Sequence, residues 1–299
     1  MPAQQDGPET LPYSHDPWWY KALILVFVLV PLALTGLGIW LLWGAHVSAL
    51  DLTLLVSGWA LTGMGISVGY HRMLTHRAFE ARPAVRFVVL AFGAMSLQGA
   101  PADWAATHIR HHARADREGD PHSPLEGFWH AHTGWLVRDR FVRSGPVYAK
   151  LMQDPVVAWT TRYFLLLATI GFVIPLAIGA AVTNTWQGAL GGLLWGGAVR
   201  VFLTHHVTWS VNSVAHSFGT RPFKTVDESR NNLFVALFGF GEGWHNNHHA
   251  FPRSAFMGLR WWQFDPGRYL IRALERIGWV WNVWMPSPED MLKRRARRA

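Results

Sequence analysis

The stretch AVRFVVLAFGAMSLQGA, residues 84–100, decides the fold of this 299-residue chain, because it is apolar enough to suggest a membrane span. A span takes about 20 apolar residues; this stretch is shorter and is interrupted by Arg86. Histidines stand on both sides of it, in HRMLTH (71–76) and HIRHH (108–112), and again far downstream in HNNHH (245–249). If 84–100 crossed the bilayer, the first two groups would lie on opposite faces. Lying flat or re-entrant, it leaves all three groups on one side, and this is the expected path.

Outward from this stretch the chain falls into two apolar pairs. Ala22–Trp43 and Ala49–Ile66 are separated by GAHVS (44–48), while Tyr163–Val182 and a segment from Trp186 past Arg200 to Thr204 are separated by TNT (183–185). Each pair reads as a helical hairpin able to cross a bilayer twice. No Lys or Arg occurs from Ala22 to His71 or from Tyr163 to Val199. The positive charge gathered elsewhere places 72–162, 204–299 and both termini in the cytoplasm, with both turns outside. The expected fold is therefore an all-α integral membrane protein of one domain, 1–299. It has four transmembrane helices in two hairpins, a cytoplasmic helical cap, and a cytoplasmic extension over 266–299. The polar first 16 residues carry no basic n-region, so no cleaved signal peptide is expected. The tail KRRARR (293–298) reads as a solvated or headgroup-touching end.

Composition narrows the chemistry. Half the residues are hydrophobic, 15% are charged and 18 are Trp, a balance that suits a lipid interface. There is no Cys, which excludes disulfides, thiolate-bound zinc and cysteine-ligated iron–sulfur clusters. The 16 histidines are the remaining strong metal ligands. At 100° per residue, His108, His111 and His112 share one arc of a helix and can converge on one metal or a close pair. His71 and His76 are 140° apart on a straight helix, so they reach one ion only across a bend, or else serve two neighbouring ions. A closed zinc site needs four ligands; eight clustered imidazoles suggest a dinuclear centre, and two irons with open positions suit oxygen activation at a lipid-like substrate.

Together, HRMLTHR (71–77), HIRHHARADREGDPHSP (108–124), GFWHAHTGW (127–135) and GEGWHNNHHAFP (241–252) closely resemble the membrane fatty acyl-CoA desaturases of the stearoyl-CoA Δ9 type, over about residues 17–265. The resemblance implies a non-haem diiron enzyme that uses O2 and two electrons to place a cis double bond, at Δ9, in a saturated fatty acyl thioester. Carried over residue by residue, it makes His71, His76, His108, His111, His112, His216, His245, His248 and His249 the metal ligands, with Asn212 bound through a water. It also implies that Trp104 and Trp209 shape the substrate tunnel. Trp59 and Gly63, about twelve and eight positions before the first histidine, would close its far end, with Trp59 as floor and Gly63 leaving room beside it. In the animal enzymes an Arg-Asp pair before the second box contacts coenzyme A; here Ala106-Thr107 stand in its place. The family's coenzyme A contact is therefore not carried over, while the cytoplasmic basic excess would still attract a polyanionic carrier, CoA or acyl carrier protein.

No redox module is present, so an external donor of ferredoxin, rubredoxin or cytochrome b5 type, with its reductase, is expected on the cytoplasmic face. Membrane lipid is the other expected partner, and no nucleic acid is. Asp103, Asp116, Asp120 and Glu242 are candidates to orient the ligating rings. His205 and His206 read as structural hydrogen-bonding residues, His122 as ordering the DPHSP turn, His130 and His132 as flanking an amphipathic stretch, and His15 and His46 as remote. Trp195 and Trp244 are further aromatic residues on elements that approach the boxes. A lipid-linked desaturase or hydroxylase on the same scaffold is the near alternative. A His-rich metal transporter is the distant one, since a transporter needs polar groups through the bilayer and 163–199 has no ionisable side chain except Tyr163.

Overall fold

The structure, a computed structural model, describes residues 13–44, 46–138 and 140–296; the N-terminal residues up to 12 and the last of the basic tail lie outside the described residues. Helix α1 runs Trp18–Trp43 and α2 Ala49–Thr75. Ser48 starts α2 through a reciprocal cap: its hydroxyl accepts from Asp51 N at 3.2 Å and its own N–H reaches the Asp51 carboxylate at 2.9 Å. Up to Met64 this helix is α-wound; from Gly65 to Thr75 it is π-wound. Two glycines let α3, Pro83–Met95, press against the π stretch. A Cβ on Gly65 would lie 2.2 Å from Gly93 N, and one on Gly69 2.8 Å from Val89 O. With 13 residues, α3 is about 20 Å long, short of the roughly 30 Å hydrocarbon core. Among the described residues it is not one of the helices long enough to cross by themselves.

Helix α4, Pro101–Arg114, carries the second histidine group, and α5, Phe128–His132, follows it. Short helices α6 (Gly145–Leu151) and α7 (Pro155–Arg162) lead into α8, Phe164–Thr183. Asn184 turns the chain in a left-handed conformation, and Thr185 caps the next helix through Gly188 N. That helix, α9, is α-wound over Trp186–Gly192, π-wound over Leu193–Val199 and α-wound again over Arg200–Ser213, without a break. Small residues bring α8 and α9 into backbone contact, as membrane helices favour: a Cβ on Gly179 would sit 2.0 Å from Gly188 O. Among the described residues three helices, α1, α2 and α8, are by themselves long and apolar enough to cross a membrane. The α1–α2 pair differs from a packed hairpin. Leu34 and Leu41 of α1 lie against Trp195 and Val199 of α9, so Trp195 serves helix packing away from the histidines.

Arg200 shows how a cation is tolerated inside α9. Fully buried, it donates to the carbonyls of Gly196 (2.7 Å), Met95 (2.8 Å) and Gly171 (3.2 Å). It thereby satisfies the carbonyl at the end of α3 and ties that helix to α8. The remaining elements are α10 (Leu233–Phe238), α11 (His245–Ala250), α12 (Pro266–Arg276) and α13 (Pro288–Lys293). An antiparallel pair, Glu80–Ala81 with Val280–Trp281, fastens the C-terminal part beside the start of α3. The largest core cluster joins the π stretch, α3, α4 and α12.

Candidate metal centre

Nine imidazoles meet where α2, α4, α9 and α11 converge, in two groups. His71, His76, His108, His112 and His248 form one; His111, His216, His245 and His249 form the other, with ligand atoms in each group within 4.8 Å of one another. The π winding corrects the straight-helix estimate for the first box. A π turn bonds i to i+5, and His76 N donates to His71 O at 3.1 Å, so residues five apart share a face. The pair serves one group, not two neighbouring ones. The α-wound second box divides, with His108 and His112 in the first group and His111 in the second. Short α11 does the same with His248 against His245 and His249.

The spacings suit ions. Nε2–Nε2 distances are 3.0 Å for His71–His248, 2.9 Å for His248–His112, 3.1 Å for His108–His112, 3.0 Å for His245–His216 and 3.1 Å for His249–His245. With metal–nitrogen bonds of about 2.1 Å, ligands at right angles stand about 3.0 Å apart and tetrahedral ones about 3.4 Å apart. The ring pairs in closest contact match the first spacing, and the 4.8 Å limit within each group leaves room for further rings around the same ion. The buried Nε2 atoms of His76 and His111 have no hydrogen-bond partner, which fits rings reserved for a metal. His76, His108, His112, His245 and His248 are held well below the ordinary imidazole range by burial and then by the charge of neighbouring imidazoles, His71, His111 and His249 among them; His249 is pushed down to about 4, again chiefly by burial. Neutral rings keep the lone pair that ligation needs.

Carboxylates orient the rings from behind. His71 Nδ1 donates to Glu242 at 2.5 Å, His111 Nδ1 to Asp120 at 2.9 Å, His216 Nδ1 to Asp116 at 2.8 Å and His249 Nδ1 to Asp227 at 2.9 Å. Burial works to raise these four carboxyls; hydrogen bonds and charge from the imidazoles outweigh it and hold them below the usual range. Asp103 does not join them: it pairs with Arg143 at 3.0 Å. Asp227 was missed in the sequence because it lies in an irregular segment remote from every box. Arg72 was missed too. Wholly buried, it pairs with Asp265 at 2.9 Å and reaches Glu242 at 3.4 Å, behind His71.

Among the other histidines, His205 Nε2 donates to the carbonyls of Ser96 and Leu97 at 3.0 and 3.1 Å, a structural role. His206 meets His132 at 3.0 Å, and His132 also meets Ser213 at 2.9 Å. His122 does more than order a turn: it lies against His111, ring centroids 4.3 Å apart, with Asp120 beside both.

Beside the metal groups lies a cavity of about 420 Å³. Trp59, Gly63, Trp104, Trp209 and Asn212 line it together with His71, His108 and His245. Trp104 stacks on His108, with centroids 4.9 Å apart and planes at 23°. Trp244 faces away, its indole N–H donating to Phe264 O at 2.8 Å. The room expected beside Gly63 is taken: a Cβ there would lie 2.0 Å from the Phe240 ring. The N-terminal half of α1, with Leu23, Ile24, Phe27 and Val28, and the exposed Leu165 and Leu166 of α8 also line the cavity.

A family model described as fatty acid desaturase matches residues 49–283. Hex-5-enoyl-[acyl-carrier protein] acetylenase of Moorena producens is 39% identical, over 96% of this chain and 93% of that protein. Delta-9 acyl-lipid desaturase 1 of Arabidopsis thaliana is 39% identical, over 80% of this chain and 76% of its own length. Icosanoyl-CoA 5-desaturase of Limnanthes douglasii is 37% identical, over 83% and 68%.

Proposed function

The chain belongs to the fatty acid desaturase family, and on that premise we propose that it is an O2-dependent non-haem diiron enzyme inserting a cis double bond, at Δ9, into a saturated fatty acyl chain. The observation that carries this reading is the division of nine imidazoles into groups of five and four, at right-angle ligand spacing, beside an apolar cavity. Nitrogen ligands alone suit several metals; the spacing and the family favour iron. Two irons held there would activate O2 for the removal of one hydrogen from each of two adjacent carbons, the O2 leaving as two waters with those two hydrogens, two electrons from an external donor and two protons from solvent. The chain's own residues hold the rings in one tautomer through Glu242, Asp120, Asp116 and Asp227. Trp104 walls the cavity against His71 and His108, Trp209 lines it beside His205 and His206, and Asn212 lines it too. Expression in a host supplied with iron and a reductase system, followed by mass spectrometry of its fatty acids, tests the reading. A new Δ9 cis olefin is expected; a hydroxylated product or none would refute it.

The carrier was expected to be a thioester, CoA or acyl carrier protein. A second reading, an acyl chain delivered as a membrane lipid, has a specific observation behind it. Leu165 and Leu166 both line the cavity and are exposed on α8, and Arg143, which also lines it, is engaged by Asp16 and Asp103 instead of being left for a polyanionic head group. Short-time labelling separates the two, since the olefin appears first in phospholipid or first in thioester. The proposed orientation puts both termini and the metal groups in the cytoplasm. A cysteine at exposed Ser48 should then react with an impermeant maleimide from outside and one at exposed Ser144 should not.

A further inference from the structure

The cavity is closed by a residue that the histidine motifs do not flag. We propose that Phe240 sets the maximum acyl chain length, an inference that rests on the reading of this cavity as the acyl site. Phe240 is buried, lines the cavity with Trp59, Gly63 and Val207, and packs against Trp59 in a tilted arrangement, ring centroids 5.0 Å apart and planes at 53°. Its ring fills the space that a side chain at position 63 would need, coming within 2.0 Å of a Cβ built there. Gly63 is therefore the notch that admits the ring, and the ring is the floor.

The backbone at this position supports the assignment. Phe240 has φ +55°, in the left-handed region that bulky residues avoid. Such a conformation persists only where the surroundings impose it, and it concentrates at functional sites. Here the carbonyl of Phe240 accepts from Arg72 Nη2 at 3.0 Å, and the same guanidinium is clamped by Asp265 at 2.9 and 3.1 Å and reaches Glu242 at 3.4 Å, whose carboxylate holds His71 at 2.5 Å. Floor and metal ligand hang from one buried cation. The length of chain that fits beyond the metal groups is thereby fixed, independently of the carrier end that places the double bond.

The test compares the wild-type enzyme with Phe240→Ala and Phe240→Leu on saturated chains of increasing even length, reading relative kcat/KM and double-bond position. One methylene against a fitted apolar wall is worth about tenfold or more in discrimination. Phe240→Ala should raise the preference for the next longer chain over the native one by about that factor, and Phe240→Leu by less, with the double bond unmoved. If Phe240→Ala does not accumulate, Phe240→Leu alone decides. Gly63→Ala should lose active protein, and Phe240→Leu in the same chain should restore it. A parental length profile in the Phe240 variants of an active enzyme, or a Gly63→Ala enzyme indistinguishable from wild type, would overturn the proposal. A wild-type chain forming no olefin would instead retract the desaturase reading itself.

Discussion

The two histidine groups differ in what stands behind them. The group of five draws on all three boxes, has partly exposed members in His76 and His112, and has one carboxylate, Glu242, on a ring. The group of four is buried throughout and has three, Asp120, Asp116 and Asp227. One site is built from ligand number and the other from ligand basicity, because a carboxylate on Nδ1–H fixes the tautomer and strengthens donation at Nε2. The contrast teaches that outer-sphere charge goes where imidazoles are fewer.

The largest expected effect treats both groups alike: His111→Ala or His248→Ala should abolish desaturation, measured as olefin formed per chain, since either substitution opens one ion's ligand set. Full activity in either variant would break the two-group account. Next, Asp227→Asn should weaken iron binding at the group of four by about 10- to 100-fold, read by competition with a chelator, while the group of five keeps its ion. Equal loss from both groups would remove the distinction between them.

A smaller effect concerns the metal-free protein. Burial, then mutual repulsion, holds His76, His108, His112, His245 and His248 below their unfolded value of about 6.5. The unfolded chain then binds more protons, so stability is complete above pH about 6.5 and falls as pH drops toward the folded values, His249 near 4. Thermal melts of apo-protein in detergent at pH 8 and pH 5 should show the lower Tm at pH 5, and iron should narrow the gap. The smallest effect is Asp103→Asn, which touches Arg143 and no ligand ring. Iron content should stay at the wild-type level, and a loss comparable with Asp227→Asn would contradict the geometry.

Much of this was legible in the sequence because it is periodic or clustered. The charge-free apolar runs mark α1, α2 and α8, and the length and Arg86 of the 84–100 stretch mark α3 as too short to cross. The histidine boxes identify the rings that converge, and three of the four acidic residues named beside them do hold a ring. What could not be read depends on winding and on contacts distant in sequence. The i to i+5 turn that brings His71 and His76 together lies in a stretch whose Gly65 and Gly69 pack their backbone against α3, and no side-chain period announces it. Asp227 reaches His249 from 22 residues away, and Phe240 enters the notch at Gly63 from 177 positions downstream. Trp59 and Gly63 both line the cavity, but the Phe240 ring that fills the space beside Gly63 was not foreseen.

The most direct measurement is iron per chain in protein expressed with excess iron and purified in an active form, alongside His76→Ala and His216→Ala. The account predicts two irons in the wild type and one in each variant, lost from the group of five and the group of four respectively and therefore with different Mössbauer signatures. Full activity with a single iron per chain, or two variants leaving the same residual signature, would contradict it.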